Sequence, residues 1–377
     1  MTATLLRLAV ATAVLINGCP GPAAAGPALL FDAASGRVLY AEDQDDLWHP
    51  ASLTKIMTAY LAFDALKTGR LTLDQKIKVS ERAHVQAPSK VGLPIGAEMT
   101  VDLAIKALIV KSANDVAVML AEAIAGSEED FVRLMNDTAR RLGMTRTRFV
   151  NPNGLPAPEQ VTTARDLARL ARAVMRDFPA QIPLWSLTEV RIGKLRLATH
   201  NRLLTSFEGA DGIKTGFICD SGFNIVASAT RDGRQLMAVV LGDPSGRDRN
   251  IRAASLLDHG FQMHGWKQLF NPLTLDTFPF PATTRDAVSV RQSVTGWDCG
   301  NRKRPPPIAK RKSPRTAAAR ARQGEATTKA KPQGAPAKAA APTARTAAAP
   351  GPAASPSGGA SAKPKPAPSA TTPKPTP

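Results

Sequence analysis

The chain is 377 residues long with a formal net charge of +18, set by 49 Lys+Arg against 31 Asp+Glu. Residues 301–377 hold 16 of those basic side chains and a single acid, Glu325, so the first 300 residues are close to balanced. That distribution excludes an obligately basic nucleic-acid-binding fold. The lack of any run of about 18 or more apolar residues excludes a multi-pass membrane protein.

Residues 1–25 read as a secretory signal peptide. Arg7 precedes an apolar run from Leu8 to Ile16, and Ala23-Ala24-Ala25 offers a small-residue cleavage site. Gly18, Pro20, Gly21 and Pro22 would break a buried N-terminal helix where it needed to continue. Ile16-Asn17-Gly18-Cys19 loosely resembles a lipoprotein box with Asn out of pattern, so Cys19 and Gly26 are the alternative first residues after cleavage. Cleavage after Ala25 leaves two cysteines, Cys219 and Cys299, and an oxidising compartment permits one disulfide between them.

Ala28 to Asp32 and Arg37 to Ala41 are short apolar runs around Ala33-Ala34-Ser35-Gly36, the pattern of a hairpin. Pro50-Ala51 precedes a helix that stops at Gly69. A second helical pattern starts near Val101 and runs to Val110, breaks around Lys111-Ser112-Ala113-Asn114 and resumes to Ala125. Ser127 caps the next helix, with Glu128, Glu129 and Asp130 suiting the positive end of its dipole, and Gly143 closes it. After the turn cluster Asn151-Pro152-Asn153-Gly154, Thr163 to Arg176 reads as helix. Gly222 to Thr230 and Gln235 to Gly242, joined by Arg231-Asp232-Gly233-Arg234, form a second hairpin before a last helix from about Asp248 to His259. Strands at both ends of a helical middle predict an α+β fold, three layers deep, in which the two ends share one antiparallel sheet flanked by helices. Residues 301–377 carry 16 of the 31 prolines and, after Ile308, no Val, Ile, Leu, Met or aromatic residue. Such a segment cannot bury enough apolar area to offset its ordering entropy, so a disordered basic tail is predicted there.

Three short stretches carry chemistry. In Pro50-Ala51-Ser52-Leu53-Thr54-Lys55-Ile56-Met57, Ser52 and Lys55 are three apart at a helix start and share one face. Lys55 is the only charge between Ala51 and Phe63. Desolvation lowers an ammonium pKa and frees a neutral amine, so the pair reads as a serine nucleophile with a lysine base. An N-cap serine beside a snorkelling lysine has the same letters. Ser112-Ala113-Asn114, in the break between two helices, reads either as an N-cap serine with a capping asparagine or as a hydroxyl and an amide turned towards one cleft, the first to shuttle a proton and the second to hold a substrate amide. In Asp211-Gly212-Ile213-Lys214-Thr215-Gly216-Phe217, strand geometry puts Lys214 and Gly216 on one face and Thr215 on the other. A cation beside a glycine on an edge strand suits an extended peptide with an anionic end, docked by strand addition, and equally a solvated edge that lysine guards against aggregation.

The order S-x-x-K, S-x-N, K-T-G on an exported chain resembles the penicillin-binding proteins and serine β-lactamases. The neighbouring text is most similar to the low-molecular-mass D-alanyl-D-alanine carboxypeptidases: Pro50 to Thr58 as PASLTKIMT, Asn151 to Leu155, Thr163-Ala164-Arg165-Asp166, and Asp211 to Phe217 as DGIKTGF. The resemblance covers about Ala28 to Trp266. It implies the transpeptidase-type fold of that superfamily, with a catalytic domain at 26–270, a short extension at 271–300 and the tail at 301–377. It also implies that Ser52 forms the acyl-enzyme, Lys55 is its base and Ser112 passes a proton to the leaving D-alanine. Asn114, Lys214, Thr215, Gly216 and Phe217 would bind substrate, with the oxyanion held by the N–H groups of Ser52 and Phe217. Arg249, two residues from Arg247, would assist recognition of the terminal carboxylate. Expected partners are peptidoglycan stem peptides, with β-lactams as inhibitors, in the periplasm or cell envelope. No cofactor is expected. Family members often add an all-β domain and an amphipathic anchor helix. About 30 residues between the catalytic domain and the tail are too few for a β-sandwich. The tail is then either a solvated spacer or a contact for anionic envelope polymers or lipid headgroups.

Neighbouring readings separate on specific features. A class A β-lactamase needs a deacylating E-x-x-L-N loop, and none is present. A D,D-endopeptidase of cross-links has the same motifs, and an inactive envelope-binding homologue would not need Ser52, Lys55, Ser112 and Lys214 all intact. Nucleic acid is not an expected partner, because the tail has no aromatic residue to stack on bases. His49, His84, His200, His259 and His264 show no metal-binding spacing.

Overall fold

Residue-by-residue alternation along the strands decides how the layers form. The computed structural model describes residues 26–270 and 272–300, without the side chains of 264–270; the predicted signal peptide, Cys19 and the predicted tail lie outside the described residues. All described residues belong to one unit spanning Met1–Pro307. β1 (Ala28–Asp32) and β2 (Val38–Glu42) form the N-terminal hairpin. A 3₁₀ turn, Ala51–Thr54, leads into α1 (Lys55–Lys67), which ends with Gly69 at φ +72°. β3 (Lys76–Lys78), the single-turn α2 (Glu81–His84) and β4 (Glu98–Thr100) make a small ribbon, followed by α3 (Val101–Val110) and α4 (Asn114–Ala125).

α5 (Glu128–Arg141) begins on Ser127, whose Oγ accepts from Asp130 N at 3.0 Å. α6 (Ala164–Asp177) begins on Thr163, whose Oγ1 accepts from Asp166 N at 3.1 Å. Each cap satisfies a helix-start N–H that has no partner within the helix. A second ribbon, β5 (Glu189–Ile192) with β6 (Leu195–Ala198), and the short α7 (Leu203–Ser206) precede β7 (Ala210–Ile218), β8 (Gly222–Arg231) and β9 (Arg234–Asp243).

The last helix, α8 (Gly246–Phe270), continues well past the expected end at His259. Gly260 does not stop it, because that glycine serves close packing: a Cβ there would lie 2.8 Å from side-chain atoms of both Leu30 and Leu236.

Five strands join in the order β2-β1-β9-β8-β7, antiparallel throughout, so the two chain ends share the sheet and β7 is an edge. Leu30, Ile225, Leu236, Ala238 and Val240 face α8 through Ala253 and Leu257. The alternate set, including Phe31, Val226, Met237 and Val239, faces the larger helical layer around α1, α3, α4 and α6. The result is the expected three-layer α+β arrangement.

Residues 272–300 run back across this body. Val38 N donates to Leu273 O and Leu275 N to Gly36 O, each at 2.9 Å. The ion pair of Arg165 with Asp45, 2.7 Å long and 1% exposed at both ends, adds guanidinium bonds to the carbonyls of Phe278 and Pro279. Further on, Val290 N donates to Asp220 O at 3.0 Å, and Cys299 is bonded to Cys219 with a Cα separation of 5.6 Å.

Candidate active site

The turn carrying Ser52 is fixed to the sheet from behind. Asn224, on β8, donates through Nδ2 to His49 O at 3.1 Å and accepts from Gly242 N at 2.9 Å. Trp48 Nε1 donates to Ser221 O at 2.9 Å. Two glycines let backbones meet at this point. A Cβ on Gly216 would lie 3.1 Å from Ser52 N, and one on Gly154 would collide with Ala51 O at 1.9 Å. Because Ser52 lies in a 3₁₀ turn, where residues i and i+3 eclipse, its side chain and that of Lys55 point the same way.

Lys55 is 1% exposed, and its Nζ lies 3.1 Å from Ser52 Oγ. The same nitrogen donates to Asn114 Oδ1 at 2.7 Å and to the carbonyl of Asn153. Both of those oxygens only accept, so a neutral amine spends its two N–H groups on them and turns its lone pair towards the Ser52 hydroxyl. Burial, reinforced by the nearby Lys214 charge, pushes the Lys55 pKa well below the ordinary lysine value. The arrangement can therefore take a proton from Ser52.

Ser112, Asn114, Thr215, Gly216, Phe217 and Arg249 line one cleft with Ser52, of about 1380 Å³. Ser112 occupies the left-handed region at φ +59°, a strained conformation for a non-glycine residue, and its buried Oγ has no hydrogen-bond partner among the described residues. Asn114 Nδ2 donates to Ala87 O at 2.8 Å, so both ends of its amide are engaged in this structure. Lys214 is buried, donates to Thr215 O at 3.1 Å, and has its pKa pushed down to about 7 by burial and the Arg249 charge. Burial also brings Arg249 down to about 10. Its guanidinium bonds Asn250 Oδ1 at 2.8 and 3.1 Å, while Arg247 is exposed. The three motif stretches, far apart in the chain, thus converge on a single cleft.

Several participants carried no signal in residue type. Asn153 contributes a backbone carbonyl, which any residue has. His200 lines the cleft, its pKa lowered to about 4 by burial and by the charges of Lys214, Lys111 and Arg249. Nothing in its spacing from other histidines marks it. Trp297 and Arg291, from the extension, also line the cleft. No cluster of potential metal ligands occurs among the described residues.

The sequence profile of peptidase family S11, D-alanyl-D-alanine carboxypeptidase, matches residues 17–245. D-alanyl-D-alanine carboxypeptidase DacC of Escherichia coli (strain K12) is 39% identical over 241 residues, covering 62% of this chain and 60% of that protein. The chain thus spans about three fifths of that relative's length. Among solved structures, penicillin-binding protein 5 from Haemophilus influenzae superposes with a TM-score of 0.61 at 34% identity, covering 63% of this chain and 71% of that one. Penicillin-binding protein D2 from Listeria monocytogenes, in its ampicillin-bound form, gives 0.58 at 30% identity, covering 63% and 97%. The match spans the segment that contains all three motifs, and the chain belongs to the D-alanyl-D-alanine carboxypeptidase family, peptidase family S11.

Proposed function

We propose that this chain is a serine-type D-alanyl-D-alanine carboxypeptidase acting on peptidoglycan stem peptides in the periplasm or cell envelope. The observation that carries the reading is the buried Lys55 amine 3.1 Å from Ser52 Oγ, with its other bonds spent on two acceptors. Ser52 Oγ attacks the carbonyl of the penultimate D-alanine as its proton passes to Lys55. The oxyanion forms against the N–H groups of Ser52 and Phe217. The C–N bond then breaks, and the leaving D-alanine amine receives a proton through Ser112, whose unpartnered hydroxyl is free for that relay. Lys214 supplies positive field, while Thr215 and Arg249 hold the terminal carboxylate and Asn114 and Gly216 accommodate the peptide. Water completes the cycle by hydrolysing the ester.

β-Lactams mimic the same acyl donor, and ampicillin is bound in the related Listeria protein. With no E-x-x-L-N loop to speed deacylation, penicillin should remain attached. The test is intact mass after exposure to penicillin. One adduct is expected on the wild type and none on Ser52→Ala, and an adduct that survives the substitution removes Ser52 from its role. Product analysis on muropeptides then distinguishes release of D-alanine from cleavage of cross-links. The basic segment 301–377 we assign to electrostatic contact with anionic polymers of the envelope. Among the described residues no helix is long and apolar enough to cross a membrane.

A further inference from the structure

The part of the edge strand beyond Phe217 is walled by the extension, which lies outside the segment matched by the family. Trp297 is 62% exposed, yet its position is strongly constrained. Its ring centroid lies 5.9 Å from that of Phe217, which stacks at 4.2 Å on Phe223. Gly296 N donates to Pro244 O at 3.1 Å, and a Cβ on Gly296 would press on Ser245 at 3.0 Å. Arg291 pairs with Asp220 at 3.0 Å and donates to Cys299 O at 3.2 Å, and Cys299 is bonded to Cys219, the residue that follows β7. An indole anchored this firmly with its apolar face in water, beside a catalytic cleft, has the character of a binding surface.

The direction of substrate along β7 says what would cover it. With the terminal carboxylate at Thr215 and the scissile carbonyl at Phe217, residues upstream of the scissile bond advance at about 3.3 Å each towards Ile218 and Asp220. That path follows Ile218, Cys219 and Asp220, which line the same cleft as Trp297. We infer that Trp297, presented by the disulfide-anchored extension, is a specificity-determining residue that binds the aliphatic portions of the stem residues upstream of the D-alanyl-D-alanine end. The inference rests on the carboxypeptidase reading above.

The test compares kcat and KM for a blocked D-alanyl-D-alanine dipeptide and for a full stem pentapeptide. Each methylene withdrawn from water is worth about four-fold in affinity. Trp297→Ala should therefore raise KM for the pentapeptide by about four-fold or more at little cost in kcat. The preference for pentapeptide over dipeptide should fall by the same factor, and Trp297→Phe should recover part of it. A Cys219→Ser/Cys299→Ser double variant, which unties the wall, should shift the preference in the same direction. An unchanged preference in Trp297→Ala, or an equal loss on both substrates, overturns the inference. Penicillin labelling of the same preparations reports separately on the carboxypeptidase reading. Labelled protein that hydrolyses the dipeptide but shows no length preference sinks this inference alone. Wild-type protein that neither labels nor hydrolyses sinks both.

Discussion

Lys214 shows what the site costs the fold. Its ammonium is 2% exposed and faces Arg249, and its pKa falls to about 7. An unfolded lysine titrates near 10.4, so the folded state binds fewer protons than the unfolded one between those values. The penalty is absent above about pH 10, grows as pH falls, and is fully present below about pH 7, with an upper bound on the order of 5 kcal/mol. Lys214→Met keeps the volume and removes the charge. It should raise the melting temperature by several degrees at pH 7 and by nothing measurable near pH 10, while acylation by penicillin collapses. A gain of equal size at both pH values would mean that packing, not desolvation, is responsible. Lys55 has the same physics, since burial and the nearby Lys214 charge push its pKa well below the ordinary lysine value, towards the neutral amine the proposed mechanism needs.

At the scale of elements, the site depends on a seam where the 3₁₀ turn before α1, the 151–155 loop and β7 press backbone against backbone. Gly154 is its tightest point, combining φ +83° with a Cβ position only 1.9 Å from Ala51 O. Gly154→Ala should cost more than about 3 kcal/mol and abolish penicillin acylation, because the obstacle is backbone and cannot swing aside. Gly69→Ala is the matched control. It has φ +72° but open space around its Cβ, so it should cost about 1 kcal/mol and leave acylation intact. Chemical denaturation of both variants checks the difference. The same seam explains what was legible beforehand. Ser52 and Lys55 are related by local helical register, and Gly126, Ser127 and Thr163 mark helix ends by residue type, so both kinds of feature could be read directly. β3, β4, β5 and β6 are three or four residues long, too short for a period-two pattern to register. α8 runs past the expected end at His259, and the packing of Gly260 on Leu30 and Leu236 that suits it to the helix is remote in sequence. The carbonyl of Asn153 and the return of residues 272–300 to the cleft are tertiary facts with no local signature.

For the whole molecule, the separation of charge is the dominant feature. The first 300 residues carry 33 basic and 30 acidic side chains, whereas residues 301–377 carry 16 basic side chains and one acid. A nearly neutral body therefore has little electrostatic attraction for an anionic polymer, and a +15 segment has a great deal. Because that attraction acts between charges through water, it is screened over a Debye length of about 8 Å at physiological ionic strength and about 3 Å at 1 M salt. Retention of the full chain on isolated cell envelopes should accordingly weaken steeply as salt rises. Truncation after residue 300 should give weak retention with little salt dependence, and penicillin should still acylate Ser52 in the truncated protein at the full-length rate. The truncation leaves Cys299 and the whole described body in place, so a fall in acylation would show that the basic segment acts on the cleft itself. Retention that persists unchanged across salt concentrations after truncation would assign envelope contact to the catalytic body instead.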